Sequence, residues 1–460
     1  MSFSSLNTSR LSAWTQTPSV IWRDTARPED YEKARTSRLF NGIVPKRYPT
    51  GILFAKTEDD IVCAMKVALE RKLRLSIRAG GQSYPAWSVR DDALLLDLAE
   101  YSELVLDQKT HILRLSPSTT GRELDKYLLA NGRAFPGGHC PDVAMGGYLL
   151  GGGMGWNTNN WGWACESVVG IDVATANGQL VRADANTNED LFWAARGGGP
   201  AFPGVVTRFY LQTQPAPKVI RSSVYVYPLE HYKTALNWAL EIASTLENTI
   251  ELTAVGSYHE GIQDPCTMII LLALSDDKTL VEKLLRSAED SRPNGALSAS
   301  VCQETNIQRE YDHKAMAYPI GERYKVDNVF LRKDVDIVSL LEPVFTKLPT
   351  RQSLSLWSSM RPCSNQPLTG MALSMQSDHY LAVYTIWENE ADDAQYGAWL
   401  SSIMEQLEPQ SVGSYLGEYD FQARPSKGWG TEEYQKLVEI KRKWDPDNRI
   451  CGCLGLEGST

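Results

Sequence analysis

The chain of 460 residues is poor in the groups that build metal centres. Its six histidines (111, 139, 231, 259, 313 and 379) are scattered, with no HExxH and no His/Cys cluster at ligand spacing. Eight cysteines stand at 63, 140, 165, 266, 302, 363, 451 and 453 without a framework spacing, and Cys451-Gly-Cys453 is one residue short of a CxxC pair. No metal is expected. Positive charge is also in deficit: 46 Lys+Arg against 56 Asp+Glu leave a net charge of −10. Phosphate-backbone binding needs the opposite balance, so no nucleic-acid partner is expected. No stretch approaches the ~20 apolar residues of a membrane span, and Met1–Trp14 lacks the apolar core of a secretory signal. The expectation is a cytoplasmic protein with reduced thiols and no membrane partner.

What remains is an ordinary globular composition, 43% hydrophobic and 22% charged, long enough for two or three units. Three regions can be told apart. Up to about residue 217, short β-rich runs alternate with glycine-dense turns. Thr57–Lys72 reads as a helix capped by Thr57, Gly121–Asn131 as another, and Val168–Thr175 with Gln179–Arg182 as a hairpin. Pro215-Ala216-Pro217 breaks the pattern. Residues 218–410 alternate longer helices with β runs such as Val219–Tyr227, Met268–Leu274 and Tyr380–Trp387, the look of an antiparallel sheet covered by helices. Residues 411–460 form an aromatic, polar return segment with an amphipathic helix, Thr431–Lys443. The fold class expected is α+β in two domains, with 411–460 completing the first.

Glycine carries the chemistry. A β run leads into Arg78-Ala79-Gly80-Gly81-Gln82-Ser83, where backbone N–H groups can converge on phosphate oxygens. From Gly137 to Gly155, eight of nineteen residues are glycine, too many for the interior of a helix or strand. Gly151-x-Gly153 is followed at the sixth position by Trp156, so the dinucleotide GxGxxG is absent, and so is the GK[ST] of a P-loop. A third run, Arg196-Gly197-Gly198-Gly199, leads into another strand. Three glycine loops beside β runs point to one extended ligand lying across a sheet.

This motif series resembles the berberine-bridge-enzyme-like FAD-linked oxidases of the vanillyl-alcohol oxidase/p-cresol methylhydroxylase superfamily. The residues that carry the resemblance are Arg78-x-Gly80-Gly81-x-Ser83, Gly138-x-Cys140-Pro141-x-Val143-x-x-Gly146-Gly147, Gly151-Gly152-Gly153-x-Gly155, Arg196-Gly197-Gly198-Gly199 and Asp445-Pro446-x-Asn448. The resemblance implies a PCMH-type FAD-binding fold. Arg78, Ala79, Gly80, Gly81, Gln82 and Ser83 would cradle the pyrophosphate, and Cys140 would bond the flavin C6 position. Val143, Gly146, Gly147, Gly152 and Gly153 would line the cofactor, and Val169 and Ile171 would reach its adenine or ribose side. Gly204 and Val206 would help close the site, and Asn448 matches the cofactor-site asparagine of the C-terminal return segment. Gly138 would leave room beside the flavin edge for O2. One departure matters. Members with two links carry a histidine where this chain has Gln82, and an amide nitrogen, its lone pair delocalised, is no nucleophile. A single 6-S-cysteinyl bond is expected, with no 8α-histidyl bond and a somewhat lower reduction potential.

By the same resemblance the catalytic base would come from the substrate domain or the return segment. Strand alternation in Ser414–Asp420 places Tyr415 and Tyr419 on one face and turns Glu418 away, so the order of candidates is Tyr415, Tyr419, Glu418. Trp156, Trp161 and Trp163 either wall a pocket or pack the core. The activity implied is oxidation of a small or medium organic molecule (a secondary metabolite, alcohol or sugar) with O2 as acceptor, by a monomer or homodimer. A flavin-containing cyclase without net redox change and a non-catalytic flavin-binding relic stay open as alternatives.

Overall fold

The computed structural model describes residues 18–452; Met1–Trp14 and Cys453 lie outside the described residues. The first helix read from the sequence runs Glu58–Glu70 and starts on a capping box. The Thr57 hydroxyl accepts from the Asp60 N–H at 3.2 Å, while the Asp60 carboxylate accepts from the Thr57 N–H at 2.9 Å. This helix links the strands Gly51–Phe54 and Arg74–Arg78, which lie parallel on either side of Ala93–Asp97. That central Ala-Leu-Leu-Leu-Asp strand is buried throughout, so its apolar run does not alternate. Val20–Trp22 pairs antiparallel on the outer edge. At the other edge the C-terminal segment returns. Leu75 donates its N–H to the Arg449 carbonyl at 2.7 Å and accepts from the Cys451 N–H at 2.8 Å.

A second, antiparallel sheet orders Leu104–Leu106, Ile112–Leu115, Gly204–Gln212, Val168–Thr175 and Leu180–Ala183. The third has eight antiparallel strands in the order Ser298–Glu304, Val219–Tyr227, Cys266–Ser275, Ile250–Ser257, Leu354–Ser359, His379–Trp387, Arg323–Leu331 and Ser411–Gly413. It starts two residues after Pro215-Ala216-Pro217 and ends with the first residues of the return segment. Helices Tyr232–Ala243, Lys278–Ser291, Ile337–Thr346 and Asp393–Leu407 cover one face. Two-residue periodicity sorts the strands. In His379–Trp387, Leu381 and Val383 enter the helix-covered core, whereas Tyr380, Ala382, Tyr384 and Ile386 look to the opposite face. That opposite face forms one wall of the site. The architecture is the expected α+β arrangement. Among the described residues no helix is long and apolar enough to cross a membrane, and no three His, Cys, Asp or Glu side chains gather to hold a metal.

A buried ion pair anchors the first glycine loop. The Arg78 guanidinium donates to Asp97 at 2.7 Å and to the carbonyls of Arg35 and Ala34 at 2.7 and 2.6 Å, and both charged side chains are fully inaccessible. Asp97 also accepts from Arg38 and from the Ala99 N–H. Removing one partner strands the other charge in a low-dielectric interior. Asp97→Ala is expected to destabilise the protein by about 3–5 kcal/mol, read as a lower denaturant midpoint.

Candidate active site

One cavity of about 660 Å³ runs between the three sheets. Its two ends differ in chemistry. At one end lie Ala79, Gly80, Gly81, Gln82 and Ser83, with Gly146, Gly147, Gly204, Val206 and the returning Ile450–Gly452. Arg38 holds the Ala79 carbonyl at 2.8 Å, and the Phe40 N–H holds that of Gly81 at 3.2 Å. The N–H groups of Gly80, Gly81, Gln82 and Ser83 donate to nothing among the described residues. Gly81 has φ +87°, and a Cβ there would meet the Arg38 carbonyl at 1.9 Å, so only glycine makes this turn. A Cβ on Gly147 would meet nothing within 4 Å and would fill the cavity itself. Two buried groups at the wall, the Ser76 hydroxyl and the Trp87 indole N–H, have no partner among the described residues. Free N–H groups, glycine clearance and orphaned donors fit a phosphorylated, planar ligand such as FAD.

Not every residue taken from the motif series reaches this wall. Arg78 borders the cavity, but its guanidinium is spent on Asp97 and two carbonyls, which anchor the loop. Gly152 and Gly153 face Leu373, Ala164 and Tyr148. Val169 and Ile171 lie in a central strand of the five-stranded sheet, where Ile171 pairs with Phe209 and Ala183, and neither lines the cavity. Asn448 also lies off the wall; its carbonyl accepts from Arg74 at 2.9 Å. Gly138 lines the cavity, but its missing Cβ would press on the Tyr148 ring at 3.1 Å, so the space it leaves is filled by tyrosine. Trp156 and Trp163 pack in cores, and none of the three tryptophans lines the cavity.

The other end is walled by tyrosine. Tyr84, Tyr318, Tyr380, Tyr384 and Tyr415 surround a single carboxyl, Glu418. The return segment does not continue as a strand here. Leu416–Glu418 forms a 3-10 turn, which breaks the expected alternation and swings Glu418 into the cavity. Tyr380 and Tyr384, four residues apart on one strand face, both donate their hydroxyls to its carboxylate. Among the described residues no cation forms an ion pair with Glu418. Burial raises its pKa, partly offset by the two phenols and by His139 and Lys314, which line the same cavity. Tyr415 stays a neutral phenol: burial raises its pKa, and its oxygen accepts from the Met154 N–H at 3.3 Å. Tyr419 donates its hydroxyl to the Arg424 carbonyl and packs on Phe421. The geometry gives Glu418 the place in the cavity, with two phenol donors, that strand alternation denied it. Sequence reasoning passed over Tyr380 and Tyr384; two tyrosines spaced i, i+4 in the β run Tyr380–Trp387 were the signal that could have found them. Tyr318 and Lys314, at the end of the helix Ile307–Ala317, carried none.

Cys140 and Val143 also open onto the cavity. Cys140 is an unpaired thiol whose pKa burial pushes up to about 12, with Glu418 and Asp142 adding to the rise and Lys314 opposing it. His139 beside it is engaged by Glu251 at 3.1 Å.

Comparison with known proteins agrees. A family model described as FAD binding domain matches residues 49–184, and one described as berberine and berberine like matches 414–449. An FAD-linked oxidoreductase, nodO, of Hypoxylon pulicicidum is 36% identical over 96% of this chain and 98% of its own length. The fold is shared with 6-hydroxy-D-nicotine oxidase of Arthrobacter nicotinovorans (TM-score 0.82, 17% identity, 95% of this chain and 98% of that one). It is shared as well with glucooligosaccharide oxidase of Acremonium strictum (TM-score 0.80, 18% identity, 94% and 95%). The full-length kinship, the two family matches and the glycine-to-tyrosine cavity agree, and the chain belongs to the berberine-bridge-enzyme-like FAD-linked oxidoreductases.

Proposed function

We propose that this enzyme is an oxidase. It takes a hydride equivalent from a C–H bond of a small or medium organic substrate (a secondary metabolite, alcohol or sugar), uses O2 as final acceptor, and holds its FAD through Cys140 alone. Bound flavin supplies the acceptor for two electrons. The rest is the work of side chains. Ionised Glu418 takes the proton from the substrate hydroxyl or amine as the C–H bond breaks. Tyr380 and Tyr384 orient that carboxylate and lower its pKa towards the working range. The tyrosine walls exclude water and offer rings to an apolar substrate body. The glutamate carries this reading: it is a cavity-facing carboxyl with two phenol partners and no ion pair among the described residues, poised for proton transfer. The name of the Acremonium oxidase records both a 6-S-cysteinyl and an 8α-N1-histidyl link; this chain has the cysteine at 140 and glutamine at 82, which supports the single thioether.

Anaerobic mixing with candidate substrates tests the proposal. Bleaching of the yellow protein, followed by H2O2 on admitting air, is the expected result. Turnover without bleaching would indicate a cyclase, and neither across a broad panel would contradict the enzyme reading. A smaller effect concerns Tyr384→Phe. Loss of one donor to the carboxylate removes an influence that lowers its pKa, so the acid limb of kcat/KM is expected to move to higher pH.

A further inference from the structure

The loop before Cys140 is gripped from two sides. Helix Gly121–Ala130 holds its far end: the Gly121 N–H donates to the Val143 carbonyl at 3.0 Å and the Arg122 N–H to that of Pro141 at 2.8 Å. From the opposite side comes Tyr311, on the helix Ile307–Ala317, almost wholly buried. Its hydroxyl donates to Asp125 and lies 3.2 Å from the Gly138 carbonyl. The notch it enters is lined by glycine. A Cβ on Gly121 would stand 3.2 Å from the Tyr311 hydroxyl, and one on Gly137 would stand 3.5 Å from the Asp125 carboxyl.

One phenol proton faces two acceptors here, so a carboxylate and a carbonyl compete for it. Both are satisfied when Asp125 itself carries a proton and donates to the phenol oxygen, leaving the phenol to donate to Gly138. Burial pushes the Asp125 carboxyl up to about 7, far above the usual carboxylate range, which makes that proton available near neutrality. A second tie runs parallel. His139 contacts Glu251 at 3.1 Å and sits on the Trp156 ring with centroids 4.2 Å apart, and Trp156 packs against Tyr311. The thiol of Cys140 has no hydrogen bond among the described residues, so its aim is set by the carbonyls fixed at 138 and 141.

We infer that Tyr311 and Asp125 are positioning residues for flavin attachment: they clamp the loop so that the Cys140 sulfur meets the flavin edge. The inference rests on the reading of Cys140 as the tether. Attachment replaces the S–H bond of Cys140 and one ring C–H bond by a C–S bond; the two electrons and two protons released pass to O2, giving H2O2. A sulfur displaced by about 1 Å loses much of its rate, on the order of 10²-fold.

The test follows covalent flavin in full-length protein supplied with FAD in air, by intact mass and by acid precipitation, beside total bound flavin and melting temperature. Tyr311→Phe and Asp125→Ala are expected to bind FAD but attach it at least about tenfold more slowly. Asp125→Asn should stay within about twofold of wild type, because its amide N–H donates to the phenol oxygen in place of the acid. Equal attachment rates in wild type and Tyr311→Phe overturn the inference while leaving the Cys140 tether standing. So does a parallel loss of total and covalent flavin, which marks a structural role only. Should Tyr311→Phe fail to fold, the Asp125 pair decides, and equal rates for Asn and Ala overturn it. Wild-type flavin that acid strips away sinks the tether, and this inference with it.

Discussion

Glu418→Gln is expected to lower kcat by about 10²–10⁴-fold, roughly 3–5 kcal/mol of barrier, with flavin content unchanged. Glutamine has the shape of the residue it replaces and still offers an oxygen to Tyr380 or Tyr384, but it takes no proton. Stability should move the other way. Folding raises the carboxyl's pKa, so protonation favours the folded state and ionisation at neutral pH costs stability. The neutral amide escapes that cost, and the variant should melt at or above the wild-type temperature. Loss of turnover without loss of stability separates a catalytic group from a packing one. The pH profile has a definite sign. The base acts when ionised, so kcat/KM falls as pH falls through a pKa above the usual carboxylate range, and this limb disappears in the variant. A variant that retains wild-type turnover would remove Glu418 from the chemistry.

Cys140→Ala is expected to abolish acid-stable flavin altogether, from one per chain to none. FAD should still bind through the N–H groups at 80–83, but occupancy then depends on free FAD, since a tether no longer holds it at high effective concentration. Turnover at low FAD falls accordingly and recovers as FAD is added. Attachment itself should depend on pH. The thiolate is the nucleophile and burial pushes the thiol pKa up to about 12, so in Asp125→Asn, whose amide keeps the clamp without ionising, the attachment rate should climb as pH rises from neutral. A rate that is flat or falling with pH would show that another group sets the step.

Much of this was legible in the chain, and the rest was hidden for physical reasons. Glycine loops announce themselves because few other residues make those turns, and Gly81 and Gly147 line the cavity. Nothing beside the motif shows that the Arg78 guanidinium is taken by Asp97, 19 residues away on a neighbouring strand. Ile171 and Asn448 stand off the cavity wall, since a residue inside a conspicuous stretch can spend its backbone on a ladder or on Arg74. Glu418 ranks last by sequence because period-two reasoning assumes a strand, and Leu416–Glu418 turns. Tyr311 and Asp125, 186 residues apart, meet only through the tertiary fold.

The most direct test of the account is peptide mass spectrometry of purified, unbleached wild-type protein after trypsin. The account predicts one yellow peptide containing Cys140, heavier by FAD less two hydrogens, and an unmodified peptide containing Gln82. Flavin on the Gln82 peptide, or no flavin on or within the protein even after incubation with FAD, would contradict it.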